Sequence, residues 1–380
     1  MPTKYDVFAT ILEKAPCKPK DLGFKSPVYA HISALQKDGW IKEENSLLIP
    51  VKDKTTENAF KLIKYCLNHG LDYNIFFTKS MQNVLRILPQ ELPNLRPRQL
   101  SGNKEVTSVL KYLEGHQFIL KHSKRPAKGR MLNHQLLNFA GAFHGTKIVL
   151  KEINAPILIP NILQIKAEPV NPFGNKAFSF LAGSAQLEGS TISEGDTREL
   201  LLRDIYPDKP AKDIQMVRNL NEGLKFIIEN KENDITPERI KELNKIVMFS
   251  LHANAGRYKT AQNRIQGNPS FRTARPEDVP GMVQAFCDDV AKLKGKEELL
   301  DRIGYLHNQL QRIHPFSDGN SRTTRMVINW ILIRHGLPLL ILKMGSFDEY
   351  MSLTKLSSKR DDEKLNSLFL ELIVHENLSP

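Results

Sequence analysis

Apolar residues recur at three- and four-residue spacing through most of the chain beyond Ala177. That spacing predicts helices near 212–230, 236–253, 277–293, 297–313, 321–335 and 362–375. One joint is especially well marked. Leu299, Leu300, Ile303, Leu306, Leu310 and Ile313 form one stripe; Met326, Val327, Trp330, Ile331 and Ile333 form the next, which Gly336 and Pro338 stop. Between these stripes runs a polar stretch from His314 to Arg325. This half shows no internal repeat and no low-complexity segment.

The pattern of the first 150 residues is different, with short helices interleaved with strand-like pairs. A helix is expected over 4–14, with Tyr5, Phe8, Ile11 and Leu12 on one side, and a second short helical segment over Lys18 to Phe24. Ser26 suits an N-cap and Pro27 the first helical position of a third helix over 26–38, which Gly39 closes. Strands at 40–42 and 47–49 flank the turn 43–46. Three helices and a hairpin in this order resemble a winged helix-turn-helix, with Tyr29, Ser33 and Lys37 facing outward toward a DNA groove. A second module of the same plan follows. It has a helix over 58–68, a stretch over 82–99 broken by Pro89, Pro93 and Pro97, a helix over 103–114 and a strand at 118–120. A basic loop, 121–130, then acts as its wing. There Lys121, Lys124, Arg125, Lys128 and Arg130 are candidate phosphate contacts. Winged helices also serve as protein-docking units, and both uses remain open here.

Residues 151–176 carry Pro156, Pro160, Pro169 and Pro172 and are expected to form an extended linker. The expected divisions are therefore 1–52, 53–150, 151–176 and 177–380. Charge sharpens this division. Residues 1–150 hold 23 Lys and Arg against 12 Asp and Glu, whereas the whole chain holds 54 against 42, so the basic surplus lies almost wholly in the first part. Such an imbalance suggests that the first part meets a polyanion. The 41% hydrophobic and 25% charged fractions are those of a globular protein. No apolar run reaches the length of a membrane span, and no signal peptide is recognised at the start. Cys17, Cys66 and Cys287 form no pairing motif, and a cytoplasmic location is expected.

The stretch His314-Pro-Phe-Ser-Asp-Gly-Asn-Ser-Arg-Thr-Thr-Arg325 feeds a helix N-terminus, where unpaired N–H groups and the positive end of the dipole attract phosphate. It gathers an imidazole, a carboxylate, an amide and two guanidiniums. His314 suits a general base, and Asp318 a Mg²⁺ ligand. Asn320 and the backbone of 318–322, including Gly319 and Ser321, suit a phosphate cradle. Arg322 suits a clamp on phosphate oxygens, with Arg325 one turn further on nearly the same face. Phe316 is expected to bury its ring and orient the loop. His307 shares the approach to His314 without further support.

These twelve residues resemble the signature of the Fic family of AMP-transferring enzymes, His-x-Phe-x-Asp/Glu-Gly-Asn-Gly-Arg-x-x-Arg, with Ser321 at the one fixed position that departs. Ser184-Ala-Gln-Leu-Glu188-Gly resembles the family's inhibitory motif, Ser/Thr-x-x-x-Glu-Gly/Asn. The resemblance implies a mainly α fold: a helical Fic domain with a small β-hairpin flap, preceded here by the α+β winged-helix-like modules. It implies a protein adenylyltransferase that uses ATP and Mg²⁺, acts on a protein hydroxyl and is restrained by Glu188 paired to Arg325. Ser184 and Glu188 are expected on one side of a helix. Ser190 to Gly195 fits the same short pattern, but Glu194 is expected in a loop. The flap falls at Arg264, Ile265, Gln266 and Gly267. Tyr350 resembles the family's aromatic near the C-terminus, and Ser357 stands where an adenine-contacting Asn is frequent, which leaves base identity open. Transfer of another nucleotide or phosphate moiety, and AMP removal, are the rival activities. A DNA-binding regulator with a nucleotide-sensing Fic domain is the rival class. DNA and a second copy of the chain are further candidate partners.

Overall fold

The computed structural model describes residues 2–150, 158–265, 268–354 and 360–378. The protein is mainly helical, with two two-stranded antiparallel sheets among the described residues. It divides into two units. The first comprises Met1–Glu91, Arg96–Tyr112 and His134–Lys151; the second comprises Leu92–Leu95, Leu113–Asn133 and Glu152–Pro380.

The first unit opens with α1 (Lys4–Lys14), α2 (Tyr29–Lys37) and the hairpin β1 (Ile41–Glu44) and β2 (Leu47–Pro50). Its core is aromatic. Trp40 packs against Phe8 at 4.9 Å and Phe143 at 5.5 Å, and Tyr5 stacks on Phe77 at 4.1 Å. Helix α2 starts later than Ser26 predicts. The Val28 carbonyl accepts the first helical bonds, from the N–H groups of His31 and Ile32, so Val28 occupies the cap. Helix α3 (Lys54–His69) starts earlier than predicted, because Asp53 caps the Thr56 N–H and Thr56 reciprocates. Helix α4 (Lys79–Glu91) runs through Pro89, which lies in its last turn and so removes little of the hydrogen-bond ladder. Helix α5 (Lys104–Gly115) matches its sequence pattern. Helix α6 (Gln135–Phe143), not anticipated, is capped by His134, whose Nδ1 accepts the Leu136 N–H at 3.1 Å.

The second unit contains the end of α5 and the hairpin β3 (Ile119–Lys124) and β4 (Ala127–Met131). Next come α7 (Ile159–Leu163), α8 (Asn175–Gln186), α9 (Glu194–Arg203), α10 (Ala211–Glu229), α11 (Pro237–Val247) and α12 (Val279–Ala291). The unit ends with α13 (Lys296–Ile313), α14 (Asn320–Arg334), α15 (Phe347–Leu353) and α16 (Asp362–Leu378). Helix α14 is buried along nearly its whole length, from Asn320 to Leu332, and the stripes of α10, α11 and α13 pack around it. None of the described helices is long and apolar enough to cross a membrane.

Two expectations about the second module fail here. The segment 121–130 is mostly strand rather than loop, and it belongs with the C-terminal unit. Lys121 and Arg130 are consumed inside that unit. Lys121 pairs with Glu114 at 2.6 Å. Arg130 sits between Glu349 at 2.9 Å and Glu371 at 2.6 Å. A cation already neutralised and largely buried has no charge to offer a phosphate, so these two side chains, contrary to expectation, are not available as DNA contacts. Lys124, Arg125 and Lys128 stay exposed at the hairpin's end. In the expected linker, 151–157 lies outside the described residues and 159–163 is helical. Helix α11 ends well short of residue 253, and Glu194 opens α9 rather than lying in a loop.

Candidate active site

Helix α13 stops because His314 adopts a left-handed conformation (φ 50°, ψ 60°), and α14 starts because Gly319 does the same (φ 76°). Gly319 is required twice over. Its φ is costly for any side chain, and a Cβ there would lie 2.4 Å from Met248 Sδ. Between the two left-handed residues the loop is held by side chains rather than by a ladder. The Asn320 carboxamide accepts the Phe316 N–H at 2.9 Å and donates to the Phe316 carbonyl at 2.7 Å. Its amide thus staples the loop through Oδ1 and one Nδ2 hydrogen. The Phe316 ring is buried, as its orienting part requires, and Tyr258 lies 5.9 Å away.

Three residues unmarked in the sequence support this loop from outside. Asn244, buried on α11, donates to Thr323 Oγ1 at 3.0 Å and to the Asp318 carbonyl at 3.3 Å, and accepts the Gly256 N–H at 2.8 Å. Lys259 is buried with no carboxylate partner among the described residues. Its Nζ donates to Thr273 Oγ1 and the Ile313 carbonyl, its backbone N–H donates to the Pro315 carbonyl, and burial pushes its amine down to about 8. Asn263 donates to the carbonyls of Phe316 and Ser317. A signal existed for Asn244: it is a polar residue on the apolar face made by Ile240, Leu243 and Val247.

Within the loop, the His314 ring is buried and its Nδ1 lies 3.2 Å from the Gln311 carbonyl. A carbonyl can only accept, so Nδ1 carries the proton and Nε2 the lone pair. Asp318 is half-exposed. Its Oδ1 accepts the Gly319 N–H at 2.6 Å and faces Arg322 Nη2 at 3.3 Å. Ser321 is buried at the second position of α14.

Both guanidiniums of the motif face one carboxylate. Arg325 donates through Nη2 to Glu188 Oε1 at 2.8 Å and to the Ser184 carbonyl at 3.0 Å, and through Nε to Ser184 Oγ at 2.8 Å. Arg322 Nε lies 3.9 Å from Glu188 Oε2. Ser184 lies in the last turn of α8, whereas Glu188 lies past its end. The turn there closes through Gly189 (φ 89°), so a turn rather than a continued helix brings the pair together. Tyr350 joins from α15. Its hydroxyl lies 3.0 Å from His307 Nε2, and burial pushes its ionisation up against the pull of Arg325. His307 thus acquires the partner that its sequence position did not reveal. Glu194 is engaged elsewhere, with Ser179 Oγ at 2.6 Å.

The expected flap is not a hairpin among the described residues. Arg264 and Ile265 lie in irregular backbone, and the segment's one strand-like contact is the bridge from Tyr258 to Phe316. Gln266, Gly267 and Ser357 lie outside the described residues.

Parts of the chain are similar to known proteins. Residues 234–332 match the Fic/DOC family model. The protein adenylyltransferase Fic of Nematostella vectensis is 31% identical over 181 residues, 46% of this chain and 41% of that protein. The protein adenylyltransferase fic-1 of Caenorhabditis elegans is 30% identical over 183 residues, 46% of this chain and 35% of that protein. The match therefore spans less than half the length of either relative. A Fic-domain-containing signaling protein of Bacteroides thetaiotaomicron superposes with a TM-score of 0.49 at 23% identity, over 58% of this chain and 92% of its own. With the loop, its staples and its two arginines in place, residues 234–332 of this chain are a Fic domain.

Proposed function

We propose that the chain is a protein adenylyltransferase that moves AMP from ATP to a Ser, Thr or Tyr hydroxyl of a protein, and that Glu188 restrains it. The observation that carries this reading is the Glu188 carboxylate seated on Arg325 and beside Arg322, at the N-terminus of α14. Two guanidiniums at a helix N-terminus form a polyphosphate seat, and a carboxylate on them competes with that phosphate. The relatives' activity as named supports the same reading.

In this mechanism His314 Nε2 takes the proton of the acceptor hydroxyl as its oxygen attacks the α-phosphorus, and pyrophosphate leaves. Arg322, Arg325 and the first N–H groups of α14 bind the phosphate oxygens and stabilise the charge that develops on them. Asp318 fits a Mg²⁺ ligand: it offers a half-exposed carboxylate one helical turn from Arg322. Bound there with the nucleotide, Mg²⁺ would neutralise phosphate charge. Exchanging Glu188 for Gly should raise automodification with α-labelled ATP, and His314→Ala in that background should abolish it. An unlabelled protein in the Glu188→Gly form would end the reading. Ser321 keeps transfer of another nucleotide or phosphate moiety as the rival, and labels at the α or γ position separate the two.

The first unit supports a second activity, DNA binding. Tyr29, Ser33 and Lys37 lie four residues apart along α2 and all three are exposed, Tyr29 at 66%. Gel shift of the full chain with duplex DNA, across a salt series, tests this part, and a complex insensitive to Tyr29→Ala, Ser33→Ala and Lys37→Ala together would count against it. The three buried, unbonded cysteines fit a reducing compartment such as the cytoplasm.

A further inference from the structure

The last four carbonyls of a helix have no partner of their own, and at the end of α13 all four are met by His314 and by residues 258–274. The His314 N–H donates to the Leu310 carbonyl at 3.0 Å, and its ring Nδ1–H to the Gln311 carbonyl at 3.2 Å. The Ala274 N–H donates to the Arg312 carbonyl at 3.1 Å, and Lys259 Nζ to the Ile313 carbonyl at 3.3 Å. Of these four donors only Lys259 Nζ is an ammonium, and it stands at the negative end of the α13 dipole. The Lys259 backbone N–H also donates to the Pro315 carbonyl at 2.9 Å. One residue therefore holds both chain neighbours of His314. That grip matters because His314 keeps a left-handed φ of 50°, which a side chain tolerates only where its surroundings over-determine it. Nζ is itself braced: Thr273 Oγ1 accepts it at 3.1 Å and accepts Gln262 Nε2 at 2.6 Å.

We propose that Lys259 is a positioning residue for His314, whose ammonium, clamped between Ile313 and Thr273 while its backbone holds Pro315, fixes the left-handed turn that aims the imidazole. The kinetic consequence rests on the adenylyltransferase reading above; the geometry does not. With no carboxylate partner among the described residues, the ammonium is only as durable as its surroundings allow, and burial pushes it down to about 8. The other charged groups near it do not change there. Tyr258, beside it, is pushed up to about 12 by burial, then by Cys287 and Glu238, and Lys241 lies over its ring at 5.3 Å. Arg257, Arg272 and Arg312 are exposed guanidiniums that keep their charge, and His314 acts as the neutral imidazole. As pH rises through about 8 the ammonium becomes an amine, a weaker donor with no attraction to the helix end. His314 then loses its brace, and transfer falls.

The test is automodification of the full chain in its Glu188→Gly form with α-labelled ATP, followed across about pH 6.5 to 9.5. The rate should fall roughly tenfold between about pH 7.5 and 9.5. Lys259→Arg in the same background should stay within about threefold of that form at neutral pH and lose the alkaline fall, because a guanidinium keeps its proton. Lys259→Met should lower kcat roughly 30-fold or more at every pH, with the KM for ATP changed less than about threefold. An alkaline fall that persists in Lys259→Arg would overturn the proposal, and this arm decides even where Lys259→Met does not fold. The ¹⁵N NMR signal of the His314 ring, assigned by its loss in His314→Ala, reads the turn without nucleotide or reaction. The parent chain should show the Nδ1–H tautomer at neutral pH and a mixture of tautomers above about pH 8, whereas Lys259→Arg should keep the single tautomer throughout. A tautomer that drifts alike in both would overturn the proposal. An unlabelled Glu188→Gly form beside the expected NMR result would end the adenylyltransferase reading alone.

Discussion

Glu188 and Arg325, 137 positions apart in the sequence, are joined by a 2.8 Å ion pair that Ser184 reinforces from the same side. The Arg325 side chain is almost fully buried and that of Glu188 is 22% exposed, so the carboxylate is the movable partner. A guanidinium held by three hydrogen bonds is well ordered but not vacant for phosphate. Removing the carboxylate in Glu188→Gly should therefore raise the rate of label transfer from ATP, on the order of 10–100-fold for a coupling of the usual size. The same change should tighten ATP binding. Incorporation of α-labelled ATP and calorimetric titration with ATP check the two effects.

Gly319→Ala is expected to damage both stability and transfer. The left-handed φ of 76° disfavours any side chain, and Met248 Sδ stands 2.4 Å from the new Cβ. Strain and overlap together should cost about 1–3 kcal/mol in denaturant unfolding. Adding Met248→Ala removes the overlap but not the backbone strain, so it should restore part of the stability at most.

Asn244→Ala tests the support under the loop. It deletes the donor to Thr323 and Asp318 and leaves the Gly256 N–H without its acceptor. About 1–3 kcal/mol of stability should go with the unsatisfied groups. Asn244 does not belong to the proposed phosphate seat, so kcat for transfer should fall with little change in ATP affinity. A single-turnover assay beside ATP titration separates the two.

Much of this site was legible because its chemistry is compressed into twelve consecutive residues, with the helical stripes on either side unambiguous. The parts that were not legible depend on contacts distant in sequence. Asn320 carries a side chain as suited to phosphate as to backbone, and only the fold shows that it bonds Phe316. Glu188 stands out only through the resemblance of its motif to the family's inhibitory pattern, and the turn at Gly189 that aims it is visible only in the fold. The run from Lys121 to Arg130 reads as a basic wing because sequence shows the cations and not Glu349 and Glu371, more than 200 residues later. His134 gave no helix-start signal because an imidazole cap is uncommon.

Arg130→Met follows from that correction. Glu371 is nearly fully buried, and its carboxyl is pushed up by burial while Arg130 holds it down. Removing the guanidinium leaves a buried carboxylate without its partner, a change that typically costs about 3–5 kcal/mol. The double variant Arg130→Met, Glu371→Met should recover much of that loss, because an apolar pair of similar volume replaces the charges. Replacing Lys124, Arg125 and Lys128 with Ala should leave the melting temperature nearly unchanged, since those side chains are exposed.

The same cluster makes the second unit sensitive to acid. His122 is pushed down to about 4, first by burial, then by the neighbouring charges of Arg130 and His375; Glu371, with its nearest oxygen at 3.9 Å, lies too far for a hydrogen bond. The native ring is therefore neutral over a range where the unfolded ring, near 6.5, takes a proton. Between those values the unfolded chain binds more protons than the folded one, so stability falls as pH drops from 6.5 toward 4 and is undiminished by this group above 6.5. His122→Gln removes the titration while keeping a polar side chain. The stability of the parent protein relative to this variant should be flat above pH 6.5 and decline steadily below it. Urea unfolding of both proteins across that range measures the difference, in which the carboxylates common to the pair cancel. A difference independent of pH would mean that the folded ring takes up its proton at the same pH as the unfolded one, and that burial does not hold it neutral.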